Sequence, residues 1–223
     1  MDLEVVKVGF ANGVAEGFPL NDKQKNKMIN QAEKAYGKFL DALKCDWRND
    51  PNSMETQRRV AKAYVNDLWA GRYTAMSPIT SFPSDGYDGI IIERNIPLTS
   101  MCSHHHQTIK GVVHIGYVAG EKGQVVGLSK LNRIVELFGR RGAIQEQLTS
   151  AIHNATSKIT EGNKGVIVTI VATHNCVSCR GVKHHGASMI TTKASGVFRE
   201  NNNLSRKEFF DSIKINNGGH QVW

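Results

Sequence analysis

The sequence predicts an α+β protein built on an antiparallel sheet, and three observations carry that prediction. Apolar residues recur at helical spacing in four long segments and a shorter one near the C-terminus. Short β-branched runs stand between them, the most uniform at residues 165–173. The strands come in pairs, in the order ααββααββα. Paired strands favour antiparallel pairing over the parallel sheet that strands alternating singly with helices would build.

Taken in order, residues 1–20 mix apolar residues and glycines without a period and are expected to form an irregular arm. A helix begins at Asn21. Its apolar stripe is Met28, Ala32, Ala35, Tyr36, Phe39, Leu40 and Leu43, opposite Lys, Asn and Gln. Residues 47–52 break it. Asn52 and Glu55 have capping-box spacing, so a second helix is expected from about 52, with Val60, Tyr64, Val65 and Leu68 on one side and a stop at Gly71. Pro78, Pro83 and Gly86 make residues 74–89 a long loop.

Strands are predicted at 89–93 and 109–118, with a turn at 120–123. A helix over 129–138 places Leu131, Ile134, Val135 and Phe138 on one face, and another over 142–159 repeats Ile144, Leu148, Ile152, Ala155 and Ile159. Strands at 165–173 and 188–198, a short helix at 206–213 and a loose tail at 214–223 complete the chain. The domain reading is an arm (1–20), then one domain over 21–213 with a helical portion (21–71) and a sheet-bearing portion from about 89.

The chain has 223 residues, 40% of them hydrophobic and 22% charged, enough apolar material for a core. Lys and Arg outnumber Asp and Glu by 28 to 20, a net charge of +8 that suits an anionic partner. Four cysteines are too few for a disulfide scaffold and fit thiols or metal ligands in a reducing compartment. The apolar runs are far short of a membrane span. Asp2 and Glu4 stand where a signal peptide would be positive. A soluble, cytoplasmic protein with no membrane partner is expected.

Cys102, His104, His105 and His106 lie within a few residues, just after a predicted strand. Cys102 and His105 are three apart, a reach that lets one turn place both on a single ion. His174 and Cys176 close the best strand, two apart, so an extended backbone sends both to one side. Thiolate with imidazole favours zinc. A lone Cys or His is ordinarily a buried thiol or a surface imidazole, but both types clustered at two strand ends are harder to dismiss. Cys102, His105 and Cys176 would leave a fourth position open, as in catalytic sites. Adding Cys179 would close a structural one, and spacing does not choose between them.

Other residues suggest an anionic, base-bearing ligand. Ser129, Lys130 and Arg133 open a helix, where free N–H groups and the dipole favour an anion. Arg180 follows Cys176 by four residues, and Arg59 is a further candidate. Glu146 could accept from a guanine N–H and NH₂ edge. A lone helical Arg or Glu is more often simply solvated.

Together these residues resemble the type I, zinc-dependent GTP cyclohydrolase family. The resemblance rests on Ser100-Met101-Cys102-Ser103-His104-His105, on Gly127-Leu128-Ser129-Lys130-Leu131-Asn132-Arg133-Ile134-Val135, and on Gln145-Glu146-Gln147-Leu148-Thr149. It rests also on His174-Asn175-Cys176-x-x-x-Arg180-Gly181, on Thr56-Gln57-Arg58-Arg59-Val60-Ala61-Lys62, and on Gly196-Val197-Phe198, covering roughly residues 25 to 213 in order. It implies the tunnelling fold: helices on one face of an antiparallel sheet, sheets joined across subunits into a barrel, and a homodecamer of two pentamers with active sites at subunit interfaces.

It implies zinc on Cys102, His105 and Cys176, with His104 and His174 as acid/base groups. Ser129, Lys130, Arg133, Arg180 and Arg59 would hold the triphosphate of GTP, and Gln145 and Glu146 the guanine. The implied reaction opens the guanine imidazole ring at C8, releases formate and rearranges to 7,8-dihydroneopterin triphosphate, the entry to folate, other pterins or 7-deazaguanine nucleosides. Three positions depart from the family pattern: Ser103 for Glu, His106 for an apolar residue and Gln147 for Arg. Two alternatives stay open, an enzyme that stops at the ring-opened intermediate and an inactive nucleotide-binding assembly whose zinc Cys179 closes. Nucleic-acid binding rests on net charge alone, with no aromatic-basic stripe, so no nucleic-acid partner is expected.

Overall fold

A computed structural model describes residues 8–10, 12–199 and 204–214. Helix α1 (Asp22–Ala42) and α2 (Thr56–Ala63) come first, the latter continued by a π-helical turn (Tyr64–Leu68) and a 3-10 turn (Ala70–Arg72). Then follow β1 (Ser81–Pro83), β2 (Ile90–Met101), β3 (Thr108–Val118), β4 (Gln124–Val126), α3 (Leu128–Gly139) and α4 (Gln145–Ile159). The rest is β5 (Gly165–His174), α5 (Asn175–Ser178), β6 (Ser188–Ala194), a 3-10 turn (Gly196–Phe198) and α6 (Leu204–Lys214). Among the described residues no helix is long and apolar enough to cross a membrane.

The predicted α+β class and antiparallel pairing hold. Strands β2, β3, β5 and β6 form one sheet in that order, every pair antiparallel, and β1 pairs with β4 in a separate ribbon. Side-chain alternation gives the large sheet two faces. Ile109, Val113, Ile115 and Tyr117 of β3 and Val166, Val168 and Ile170 of β5 face α3 and α4, and that is the main core. The expectation of helices on one face is only partly met, because α6 packs on the other. There Phe209, fully buried, joins Val118, Ile167 and Phe198. Gly116 makes its seat: a Cβ at 116 would stand 2.7 Å from the Phe209 ring. Phe209→Ala is expected to cost about 3–5 kcal/mol in urea unfolding, the usual cost of emptying an aromatic site.

Several element limits differ from the sequence reading for identifiable reasons. Strand β2 continues eight residues past Glu93, through a bulge in which three steps on β2 (Glu93 to Ile96) match two on β3 (Ile115 to Val113). Asn95 takes φ +59° there, and its N–H donates to His114 Nδ1 at 3.3 Å. Helix α2 starts at Thr56, not at 52, because Asp50 draws the Asn52 N–H and the Ser53 hydroxyl into turns. Helix α4 starts at Gln145 because Gly142 has φ +69°. Strand β6 ends at Ala194, where the chain enters its 3-10 turn.

Helix α1 has the capping box at Asn21 and Gln24, but it buries a narrower stripe than its sequence suggests. Ile29, Gly37 and Leu40 are buried, whereas Phe39 and Leu43 are more than half exposed because α2, the partner helix, is short. The expected loose tail lies outside the described residues, save for Lys214, which ends α6.

Two buried histidines make stability pH-dependent. Burial, with Arg94 nearby, holds His114 below its ordinary 6.5. Burial likewise holds His153 down, and its Nε2 lies 3.1 Å from Ser195 Oγ. Below about pH 6.5 the unfolded chain binds protons that the folded chain resists, so stability present above that pH falls as pH drops. Urea midpoints are expected to decline between pH 7.5 and 5.5 with a slope of up to about two protons, and His114→Gln should flatten part of it.

Candidate active site

At one end of the sheet the close of β2, the 102–107 loop, the close of β5 and the first turn of α4 converge. The Cys102 N–H donates to Gln107 O and the His106 N–H to Cys102 O, both at 2.9 Å, folding the loop back on itself with His106 at φ +51°. The Ala143 N–H donates to Met101 O at 3.1 Å and ties the approach to α4 onto this end. In the register, His174 stands opposite Ile109. Helix α5 begins at the next residue and carries Cys176 back toward Cys102.

The ligand atoms of Cys102, His105 and Cys176 lie within 4.8 Å of one another. Cys102 is buried, Cys176 half-buried and His105 exposed, so the cluster is anchored inside and open outside. Burial, then the neighbouring Cys102, raises the Cys176 thiol above its ordinary range. Two thiols side by side resist ionisation, and a dication between them reverses that preference. Two soft sulfurs and an imidazole suit zinc, and three donors leave a coordination position for water. Cys179 is not in the cluster: its thiol donates to Asn175 O at 2.7 Å and approaches Gln107 Oε1 at 3.3 Å.

His174 Nε2 lies 2.8 Å from Gln145 Oε1, and burial lowers its pKa against the opposing pull of Glu146. Gln145 is 1% exposed. Its Nε2 is within 3.2 Å of Ile170 O and 3.0 Å of both Met189 O and Thr191 Oγ1. Committed in this way, its NH₂ is taken up within the protein, and the second lone pair of Oε1 is what its amide has left to offer a guanine. Glu146, next on the chain, is exposed at the same end. Arg180 Nη1 donates to His105 Nε2 at 2.9 Å, and His104 packs its ring edge-on to His105 with centroids 6.3 Å apart.

His106, the unusual third imidazole, is occupied elsewhere. It shares a hydrogen bond with Tyr64 OH at 3.2 Å and packs edge-on against Trp69. Ser103 is half-buried in the loop and Gln147 is exposed on α4. Thr149 stands in the 145–149 motif without a role of its own and no motif pointed to Thr191; together they complete the Gln145 network, and the signal that joins them is spatial.

The remaining cationic candidates are not gathered here. Ser129, Lys130 and Arg133 occupy the first turns of α3, which runs along β2 with Asn132 Nδ2 donating to Glu93 Oε1 at 2.5 Å and Gly139 against Thr99. Eight residues of β2 separate Glu93 from Met101, about 25 Å at roughly 3.3 Å per residue, so this cationic turn lies at the far end of the sheet from Cys102. Arg59 is on the exposed face of α2, paired with Glu55 at 3.2 Å.

The GTP cyclohydrolase I family model matches residues 32–214. The chain is 38% identical over 197 residues to GTP cyclohydrolase 1 of Aeromonas salmonicida (strain A449), covering 87% of each chain. It is 41% identical over 160 residues to GTP cyclohydrolase 1 of Mycobacterium avium (strain 104), covering 71% of this chain and 77% of the relative. With GTP cyclohydrolase 1 of Mycobacterium tuberculosis (strain ATCC 25177 / H37Ra) the identity is 38% over 185 residues, covering 82% and 89%. A match over most of the chain, joined to a Cys-His-Cys cluster at the sheet end, leads to one assignment: the chain belongs to the GTP cyclohydrolase I family of enzymes.

Proposed function

We propose that this enzyme uses zinc to open the guanine imidazole ring of GTP at C8, releases formate, and completes the rearrangement to 7,8-dihydroneopterin triphosphate. The observation that carries the reading is the convergence of Cys102, His105 and Cys176 with His174 beside them. Zinc held by those three residues would supply a water acidified toward a pKa of about 7.

The other residues supply protons and position. C8 is a poor electrophile until N7 is protonated, and His104 and His174 are suited to deliver that proton and later ones. Glu146 is suited to accept from the guanine N1–H and NH₂ and so to fix which ring atom meets the metal. Arg180, already at His105, would meet the negative charge of the substrate. Ser129, Lys130 and Arg133, too far away within one chain, fit a site completed by a second copy, with Arg59 joining them from its exposed helix face. That accords with a cytoplasmic homodecamer whose sites lie between subunits.

The test is to incubate the zinc-loaded protein with GTP and measure formate together with the fluorescent pterin obtained after oxidation and dephosphorylation. Equal yields support the full reaction, and formate alone would indicate a reaction halted at ring opening. Neither product from folded, zinc-replete protein would refute the assignment of activity.

A further inference from the structure

The hydrogen bonds around Gln145 can be assigned proton by proton, and they reach the candidate acid/base group. Thr149 Oγ1 donates to Gln145 O at 2.8 Å and so has spent its only proton. The 2.6 Å contact between Thr149 Oγ1 and Thr191 Oγ1 must then be a donation from Thr191. Thr191 is left as an acceptor. The Gln145 atom that faces it, and that also faces the carbonyls of Ile170 and Met189, must be the amide NH₂, because carbonyl oxygens only accept. A flipped amide would set oxygen against two carbonyl oxygens. Gln145 Oε1 is therefore the atom 2.8 Å from His174 Nε2, and an amide oxygen can only accept. His174 Nε2 must carry a hydrogen.

We propose that Gln145 is a positioning residue that locks the His174 ring in the Nε2–H tautomer and so holds it in one orientation beside the Cys-His-Cys cluster. The inference rests on the activity proposed above and gives Gln145 a role beyond the guanine contact that the family resemblance implied for it. Thr149, α4 and the β5 and β6 backbones hold the amide, so the device is built from rigid elements.

Two readouts test it. In the first, GTP affinity and turnover are measured for Gln145→Leu, which removes the acceptor, and for Gln145→Glu, which keeps an acceptor oxygen there and, when protonated, one donor for the carbonyls of Ile170 and Met189. Gln145→Leu is expected to lower kcat at least tenfold while Kd for GTP stays within about threefold, and Gln145→Glu to recover most of the loss. In the second, long-range ¹H–¹⁵N correlation on protein labelled in its histidine rings reads the tautomer, with His174 assigned from a His174→Gln variant. The wild type is expected to show the Nε2–H form. This readout needs no turnover, so a wild type that shows Nε2–H but releases no formate refutes the activity and leaves the positioning intact. A His174 in the Nδ1–H form would overturn the inference, as would a Gln145→Leu protein that binds GTP poorly yet turns it over normally. Should Gln145→Leu fail to fold, the wild-type tautomer and the Gln145→Glu kinetics decide.

Discussion

Cys176→Ser is expected to reduce formate release by about 10³-fold or more and to strip the protein of tightly held zinc, because a weaker donor would replace one of only three. Cys102→Ser should behave alike, since its buried sulfur is the deepest of the donors. Cys179→Ser is the informative contrast. The Cys179 thiol is bonded to Asn175 O and stands outside the cluster, so its loss should leave both zinc content and rate near wild type. Zinc per chain after gel filtration, measured beside formate release, gives the comparison directly. A Cys179→Ser protein that loses zinc as Cys176→Ser does would mean a closed four-ligand site and would overturn the open-site reading.

The second large effect is expected if the site is divided between chains, as proposed. Arg133→Ala and Cys176→Ser are each expected to be nearly inactive alone. If Arg133 acts with the metal cluster of a neighbouring chain, assemblies containing both variants must recover activity. Some interfaces in them join an intact cluster to an intact cationic turn. Random co-assembly at equal ratio gives about one quarter of the wild-type rate from simple combinatorics. Co-expression with two different tags and sequential purification isolates such assemblies. No recovery in doubly tagged material would place the whole site within one chain, which the separation along β2 argues against.

How much of this was legible in the sequence varies with the kind of information each feature needs. The Cys102, His105 and Cys176 cluster was legible because soft donors stand close together at two strand ends, and local spacing survives folding. The helices α3 and α4 were legible because their apolar residues keep one period and meet one partner, the sheet. The stripe on α1 misled because periodicity reports a face that can be buried and says nothing of how wide the neighbour is; Phe39 and Leu43 extend past α2. The second half of β2 was hidden by Glu93-Arg94-Asn95, a polar interruption that reads as a loop end and is in fact a bulge. The geometry of Gln145 was beyond reach, since its partners come from β5, β6 and α4 and meet only in three dimensions.

That bulge has a consequence for how the gene can change. A strand is a parity device: odd positions face one way and even positions the other. Ahead of the extra residue Ile90 and Ile92 reach the Phe209 side, and beyond it Ile96 and Leu98 reach the α3 and α4 side. Arg94 and Asn95 together face His114, so deleting Asn95 alone would restore plain alternation and leave Ile96 and Leu98 on their core. Deleting one residue between 97 and 101 would instead turn the positions beyond it, toward Cys102, to the other face. Lengthening the loop after Cys102 changes no parity upstream. Codon-length insertions and deletions are thus filtered by where they fall: damaging as single steps between 97 and 101, and better tolerated at the bulge and in the exposed 180–187 loop. The Cys-His-Cys cluster takes its orientation from the regular pairing of β2 beyond Ile96. The spare residue of the bulge, some 20 Å away at roughly 3.3 Å per residue, is a step whose loss leaves that orientation unchanged.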